Sequence, residues 1–319
     1  MARHSKEKAT EIYNFYRTHG EKKTLETYKI KSTTLNRTLA DFKNLYGNKE
    51  VFENNVLLEK IKDKYSKEEL KFIAAGGVDK STINKKVIDF DGEVFTFCHV
   101  SDTHIGGNCF KPEWWDACIK ECEKQNIDMM FHTGDITEGM SNRAGNVYEL
   151  THIGYDSQKE YAINQLAKCS FPVYIIDGNH DRWYIKSSGA LVVKDIAQAL
   201  ENVEFIGHDE GNVLINGVTI RLFHGEDGNS YAVSYRIQKV VESFTGGEKP
   251  HVLLLGHCHK QCYLFDRHIH CLSGGACSSQ SSWMRSKRIV NHAGFWIVRM
   301  VIGKKGICSF SPTWYPFYS

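Results

Sequence analysis

Five short motifs follow one another along the chain: Asp102-Thr103-His104, Gly134-Asp135, Gly178-Asn179-His180-Asp181, His224-Gly225 and Gly256-His257-Cys258-His259. Their polar side chains are carboxylates, an amide and imidazoles, a ligand set that suits divalent cations. There are enough of them for two ions. Two cations about 3.5–4 Å apart can clamp the attacking and leaving oxygens of a phosphoryl displacement. Such a pair needs one bridging anion, and Asp135 is the natural candidate. Asp102, His104 and one terminal imidazole would complete one ion; Asn179, His224 and the other terminal imidazole would complete the second. In an extended His-x-His the two imidazoles of His257 and His259 point to one side, with Cys258 turned away, because side chains alternate with period two. His180 is left without a metal and becomes the candidate general acid for the leaving oxygen.

A lone Asp-x-His is commonly a surface pair and a lone Gly-Asp a turn. The ordered set carries more weight, because each motif follows a segment that reads as a strand. These segments are 94–100, 127–133, 173–177, 218–223 and 251–255, mostly apolar and rich in β-branched or aromatic residues. Ligands placed just after them lie at the carboxyl edge of an α/β sheet, where such folds build their sites. Asn216-Gly217 and the 303–306 turn mark two hairpins, which are expected to complete a second sheet. The expected fold class is therefore α/β, a two-sheet β-sandwich flanked by helices, with a small all-α N-terminal domain.

At these residues the chain resembles the calcineurin-like metallophosphoesterases, whose pattern D-x-H, G-D, G-N-H-[DE], H and G-H-x-H is present in order over roughly residues 90–319. The resemblance implies that Asp102, His104, Asp135 and His259 hold metal one, and that Asp135, Asn179, His224 and His257 hold metal two. It makes His180 the proton donor and Glu138, three residues past Asp135, the acid that orients it. Manganese is the expected cofactor, with Mg, Zn, Fe or Ni as alternatives. Metal-bound hydroxide would attack phosphorus in line. Among members, the layout resembles the double-strand-break repair nucleases and the small subunit of archaeal family-D DNA polymerase.

With 41% hydrophobic and 24% charged residues the chain has the composition of a globular protein, and 319 residues leave room for a second, smaller domain. No apolar run approaches the roughly 20 residues needed to cross a bilayer, and the first residues lack the apolar core of a signal peptide. The expected location is cytoplasmic, with no membrane partner. The ten cysteines are scattered through apolar and helical stretches, as buried reduced thiols would be.

Charge is concentrated at the start. Residues 1–50 contain 11 Lys or Arg and 6 Asp or Glu, an excess of +5, against +2 for the whole chain. Ala9, Ile12, Tyr13, Phe15 and Tyr16 mark one helical face that ends at Gly20; Leu25 and Tyr28 mark a short second helix; Ser32 is expected to cap a third that carries Leu35, Leu39, Phe42 and Tyr46. Three such helices resemble a helix-turn-helix DNA-binding domain, although Tyr28-Lys29 occupies the turn where glycine is common. On that reading Thr33, Thr34, Asn36 and Arg37 face base edges, and Lys22, Lys23, Lys29, Lys31 and Lys43 contact phosphates. The alternative is a helical cap that packs on the enzyme. The expected domains are 1–50, a helical connector over 51–88, and a catalytic domain over 89–319. Arg143 and Arg182, in the loops after Asp135 and His180, are candidate substrate contacts.

The expected function is a dinuclear-metal phosphodiesterase or nuclease whose partner is nucleic acid, double-stranded DNA in particular. The alternatives are a phosphomonoesterase or protein phosphatase with a docking N-terminal domain, and a DNA-binding scaffold with a vestigial metal site.

Overall fold

The computed structural model describes residues 6–46, 85–228, 230–245, 247–304 and 306–318. The chain divides into two units between Lys71 and Phe72. The helices expected over 51–84 lie outside the described residues.

In the first unit, α1 (Lys6–Tyr28) is interrupted at Gly20, whose φ of 77° and ψ of 174° no helix accommodates, so it is in effect two helices. Helix α2 follows (Ser32–Tyr46). Ile12, Thr24 and Leu35 are fully buried, and Ala9 and Thr38 nearly so. The threonines satisfy their hydroxyls by donating back to carbonyls four residues earlier, those of Gly20 and Thr34. Ser32 does not cap α2. Lys31 holds the cap position, accepting from Thr34 and Leu35 N–H through its carbonyl, while the Ser32 hydroxyl donates to Glu21 at 2.8 Å. Lys29 takes the left-handed conformation at φ 50°, so the turn has the backbone a glycine would favour, built with a lysine.

The second unit contains two six-stranded sheets. Its strands are β1 (Lys85–Ile88), β2 (Val94–Val100), β3 (Met129–His132), β4 (Val173–Asp177), β5 (Val203–His208), β6 (Glu210–Ile215), β7 (Val218–Phe223), β8 (Val252–Leu255), β9 (Gln261–Asp266), β10 (Ile269–Gly274), β11 (Gly294–Gly303) and β12 (Gly306–Pro316). One sheet has the order β12-β11-β2-β3-β4-β5, the other β1-β6-β7-β8-β10-β9. Strands β2 to β5 are parallel, as are β7 with β8 and β8 with β10. The helices are α3 (Pro112–Lys124), α4 (Tyr155–Leu166), α5 (Trp183–Ser188), α6 (Val192–Gln198), α7 (Tyr235–Ser243) and α8 (Ser282–Ser286).

Period-two alternation assigns each strand residue to a layer. Phe95 and Phe97 of β2, Phe131 of β3 and Ile176 of β4 meet Ile220 and Leu254 between the sheets. Cys98, Val100, Met130 and Ile175 point the other way, onto Trp115 and Cys118 of α3 and Leu166 of α4. On the far side Leu253 and Leu255 of β8 cover Ile237 and Val241 of α7. Each fully buried aliphatic or Phe side chain contributes roughly 1.5–3 kcal/mol, which is what presses the two sheets together.

Two sequence expectations are corrected here. Residues 85–88 are not helical connector but β1, paired in parallel with β6, so the catalytic fold begins before residue 89. The two hairpins do not complete one sheet. β6–β7 lies in the second sheet, whereas β11–β12 extends the first, because β11 pairs antiparallel with β2.

Candidate metal centre

The five ligand loops leave the carboxyl ends of β2, β3, β4, β7 and β8. The first three belong to one sheet and the last two to the other, so the centre forms where the two sheet edges meet. Two donor clusters result, in each of which the ligand atoms lie within 4.8 Å of one another: Asp102, His104 and His259, and Asp135, His224 and His257. Asp135 also clusters with His104 and His180, which places it between the two. The Asn179 carbonyl joins the second cluster, 3.0 Å from His224 Nε2 and 2.8 Å from His257 Nδ1. The structure thus brings together all seven residues read from the sequence as ligands.

The geometry has the marks of a cation cradle. Asp102 is fully buried. Its Oδ2 accepts from the Ser101 hydroxyl and from His257 N–H at 3.0 Å. Its Oδ1 lies 3.2 Å from His259 Nε2 and 3.9 Å from His104 Nε2, yet has no hydrogen-bond partner. A buried carboxylate oxygen left in this way costs about 1–3 kcal/mol or more, and His104 Nε2 faces His259 Nε2 at 3.2 Å beside it. One divalent ion among these atoms removes the conflict, so the donor set fits a metal.

Backbone conformation supports the same conclusion. Asp102, His104, Asp135, His257 and His259 all have φ between 52° and 74°. The left-handed region costs an L-residue roughly 1–2 kcal/mol, and such strain concentrates at functional sites. His257 and His259 therefore reach the centre from a turn after β8 rather than from an extended strand, which corrects the alternation argument. The flanking glycines are required by contact: a Cβ on Gly178 would stand 2.2 Å from Asp135 Oδ1, and one on Gly134 (φ 90°) 2.6 Å from His224 Nδ1.

Partners behind the ligands select which ring nitrogen faces inward. His224 Nδ1–H donates to Thr133 O at 2.7 Å, leaving Nε2 toward Asp135 at 3.3 Å. His259 Nδ1–H donates to Asn291 Oδ1 at 2.7 Å. His104 Nδ1 lies 3.1 Å from Glu138 Oε2, leaving Nε2 for the first cluster. Burial acts to lower the His104 and His224 pKa values, but neighbouring carboxylates outweigh it: Glu138 first for His104, Asp135 first for His224, each held up to about 9. Burial would likewise raise Asp102, but His259 and His224 hold it below the usual carboxylate range. An entering cation must displace the imidazole protons, so its affinity rises as pH approaches 9.

His180 stands beside the clusters. Its Nδ1–H donates to the Glu138 backbone carbonyl at 2.8 Å, and its own N–H to Asp135 Oδ1 at 2.8 Å. The Glu138 carboxylate is farther from that ring, at 3.6 Å, than from His104. Glu138 therefore orients His180 chiefly through its main chain and His104 through its side chain. Burial pushes the His180 pKa below 6.5.

Asp181, the last residue of its motif, carries a role the sequence did not reveal. It accepts from the backbone N–H groups of Ile136, Thr137 and Gly178 and from the Thr137 hydroxyl, at 2.8–3.1 Å, and so staples the Asn179 loop to the Asp135 loop. Asp181→Asn turns an amide NH2 toward donors and leaves at least one buried N–H unpaired, costing about 1–3 kcal/mol. The expected result is a thermal midpoint lower by about 2–4 °C per kcal/mol; an unchanged midpoint contradicts the staple. Asn291, which fixes His259, lies in no motif and gave no signal.

The candidate substrate residues separate. Arg143 lines the cavity over the centre, paired with Glu149. Arg182 does not line it. Its guanidinium is held by Asp177, Asp209 and Glu226 at 2.8–3.1 Å, which braces the loop. In the other unit Thr33, Asn36 and Arg37 are exposed and Thr34 half-buried. No helix among the described residues is long and apolar enough to cross a membrane.

Comparison with known proteins bears on this geometry. Residues 95–284 match the family model of the calcineurin-like phosphoesterase superfamily domain. The DNA polymerase II small subunit of Methanothermobacter thermautotrophicus is 22% identical over 246 residues, covering 63% of this chain and 51% of the relative. The chain thus spans about half the length of that curated relative. Among solved structures, a novel archaeal phosphodiesterase is similar at a TM-score of 0.42 and 15% identity, covering 69% of this chain and all of the other. The phosphoesterase Yfce from E. coli is similar at 0.40 and 16%, covering 68% and 98%.

Proposed function

The chain belongs to the calcineurin-like phosphoesterase superfamily, and from that premise we propose that it is a dinuclear-metal phosphodiesterase acting on nucleic acid. The observation that carries the chemistry is the pair of donor clusters, with Asp135 a member of the second and grouped also with His104 of the first. Asp102, His104, Asp135 and His259 would hold one cation, and Asp135, Asn179, His224 and His257 the other; manganese suits the mixed N/O donor set, as do Zn, Fe and Ni. Two such cations would neutralise the phosphoryl oxygens and supply an ionised water as nucleophile.

The remaining work falls to the protein. His180 commits Nδ1 to the Glu138 carbonyl, which leaves Nε2 to give a proton to the departing oxygen. The Asn179 amide NH2 would donate to a non-bridging phosphoryl oxygen while its carbonyl faces the second cluster. The Glu138 carboxylate keeps His104 in the tautomer that presents Nε2.

Nucleic acid is favoured over a phosphoprotein by the basic first fifty residues and by the likeness to a DNA polymerase subunit. The test is turnover of bis(4-nitrophenyl) phosphate, 4-nitrophenyl phosphate and DNA with Mn, Mg, Zn and Ni. The expected result is metal-dependent cleavage of the diester and of DNA; a preference for the monoester with DNA untouched overturns the reading.

The helix-turn-helix-like unit is tested separately. Removing residues 1–50 takes away the +5 segment and none of the five motifs. The truncated protein should cleave the small diester at nearly the full rate. Its DNA affinity should fall, with the log–log salt slope shallower by about 0.9 for each phosphate that is no longer neutralised. Arg37→Ala and Thr34→Ala should weaken binding in a sequence-dependent way, and Lys22→Ala or Lys31→Ala about equally on every sequence. Unchanged affinity and slope would make the helices a structural cap.

A further inference from the structure

The cavity over the ligand cradle has a volume of about 400 Å³, in the range of small-molecule pockets. Its lining holds candidate ligands, and it also includes four large aromatic or apolar side chains, Trp183, Trp283, Met284 and Ile289. A sugar–phosphate backbone has no use for such side chains. A nucleobase does, because every base offers a π-face for stacking on an aromatic side chain. Paired and stacked bases present only their edges to the grooves, so a base reaches these side chains only by leaving the stack.

Two of these side chains sit on segments tied to the centre. Trp183 of α5 packs on the His180 ring at 3.9 Å between centroids. Trp283 of α8 is 42% exposed although it lines the cavity, and the Arg143 guanidinium lies 5.7 Å over its ring. The Ser281 hydroxyl caps α8 by accepting from Met284 N–H at 3.2 Å. The segment before it is tied to the ligands: Ser278 donates to the Asp102 carbonyl at 2.9 Å, and Asn291 donates to Ser278 O at 2.8 Å while accepting from His259. Residues 278–290 contain no acid, and their three cations, Arg285, Lys287 and Arg288, are all exposed.

We propose that this cavity takes one unpaired nucleotide, with its phosphodiester on the ligand cradle and its base against Trp283, Trp183, Met284 and Ile289. The substrate is then single-stranded or frayed nucleic acid, with Arg285, Lys287 and Arg288 placed for the flanking phosphates. The proposal rests on the phosphodiesterase reading and deepens it.

The experiment compares kcat/KM for thymidine 5′-(4-nitrophenyl phosphate) and methyl 4-nitrophenyl phosphate in the full-length metal-loaded protein. The ratio favours the nucleoside diester in the wild type and falls about tenfold in Trp283→Ala, equivalent to about 1.4 kcal/mol of stacking energy. Trp283→Phe retains most of the preference, which a merely structural role for the indole does not predict. Thymidine 5′-monophosphate should quench tryptophan emission in the wild type and quench it less in Trp283→Phe. On oligonucleotides, a single strand or frayed end is cut in preference to blunt duplex of the same sequence. Cleavage of both small diesters with a ratio that neither Trp283→Ala nor Trp183→Ala alters overturns the nucleotide pocket alone. Failure to cleave either diester with any of the metals overturns the phosphodiesterase reading, and this proposal with it.

Discussion

Asp135→Asn is expected to abolish phosphodiester turnover and to weaken both cation sites together. Asp135 belongs to the second donor cluster, 3.3 Å from His224 Nε2, and is grouped with His104 of the first and with His180 on its other side. Its pKa is held well below the usual carboxylate range, because His224 and then His180 outweigh the effect of burial, so the native side chain presents a full negative charge. Asparagine keeps the shape, and its carbonyl can still accept from His180 N–H, so the loop has no reason to rearrange. What disappears is the anionic bridge. Changing a residue that only touches a ligand costs about 10–100-fold in metal affinity or activity, and removal of a shared charged ligand must exceed that at both positions. Metal analysis after dialysis should find both ions depleted. Asn179→Ala or His224→Ala should deplete chiefly one. Two retained ions with normal turnover in Asp135→Asn would mean that the ligand assignment is wrong.

The second large effect is expected from His180→Asn, and it should have the opposite signature. His180 Nδ1 is already engaged by the Glu138 carbonyl, and the proposed role of the ring is proton transfer rather than ligation. Metal content should stay near the wild-type level while turnover falls by on the order of 100-fold or more, within the 10²–10⁴ that a positioned general acid contributes. The deficit should grow with the pKa of the leaving alcohol: slight for 4-nitrophenolate, severe for the alkoxide of DNA, because a good leaving group departs without a proton. Since burial lowers the His180 pKa, the protonated form is drained as pH rises above that depressed value. The wild-type rate on a poor leaving group should therefore decline on the alkaline side, and the variant should lack that decline. An equal deficit on both leaving groups, or depletion of the metals, would remove His180 from the role of acid.

Much of the centre was legible in the residues themselves. The seven candidate ligands, their order and the strands before them could be read because ligand chemistry resides in side-chain type and buried strands leave apolar runs. Gly20 and the 216–217 turn were legible for a similar reason: they are local requirements on φ, and the structure shows both. Tertiary structure alone decided the rest. Which nitrogen of each imidazole faces inward depends on partners such as Asn291 and the Thr133 carbonyl, the second of them 91 residues from His224. The Glu138 carboxylate sits nearer His104 than His180, and Arg182 is drawn to Asp177, Asp209 and Glu226, because in both cases the nearest charge comes from a different loop. The assignment of β1 and of the two hairpins to their sheets is a matter of strand pairing across more than a hundred residues, as in Lys85 beside Asn212. Local pattern states what a segment must bury and which groups it can offer; it does not state which distant segment lies opposite. The left-handed backbone at five ligands and the tryptophans that line the cavity beside them belong to that second kind of information.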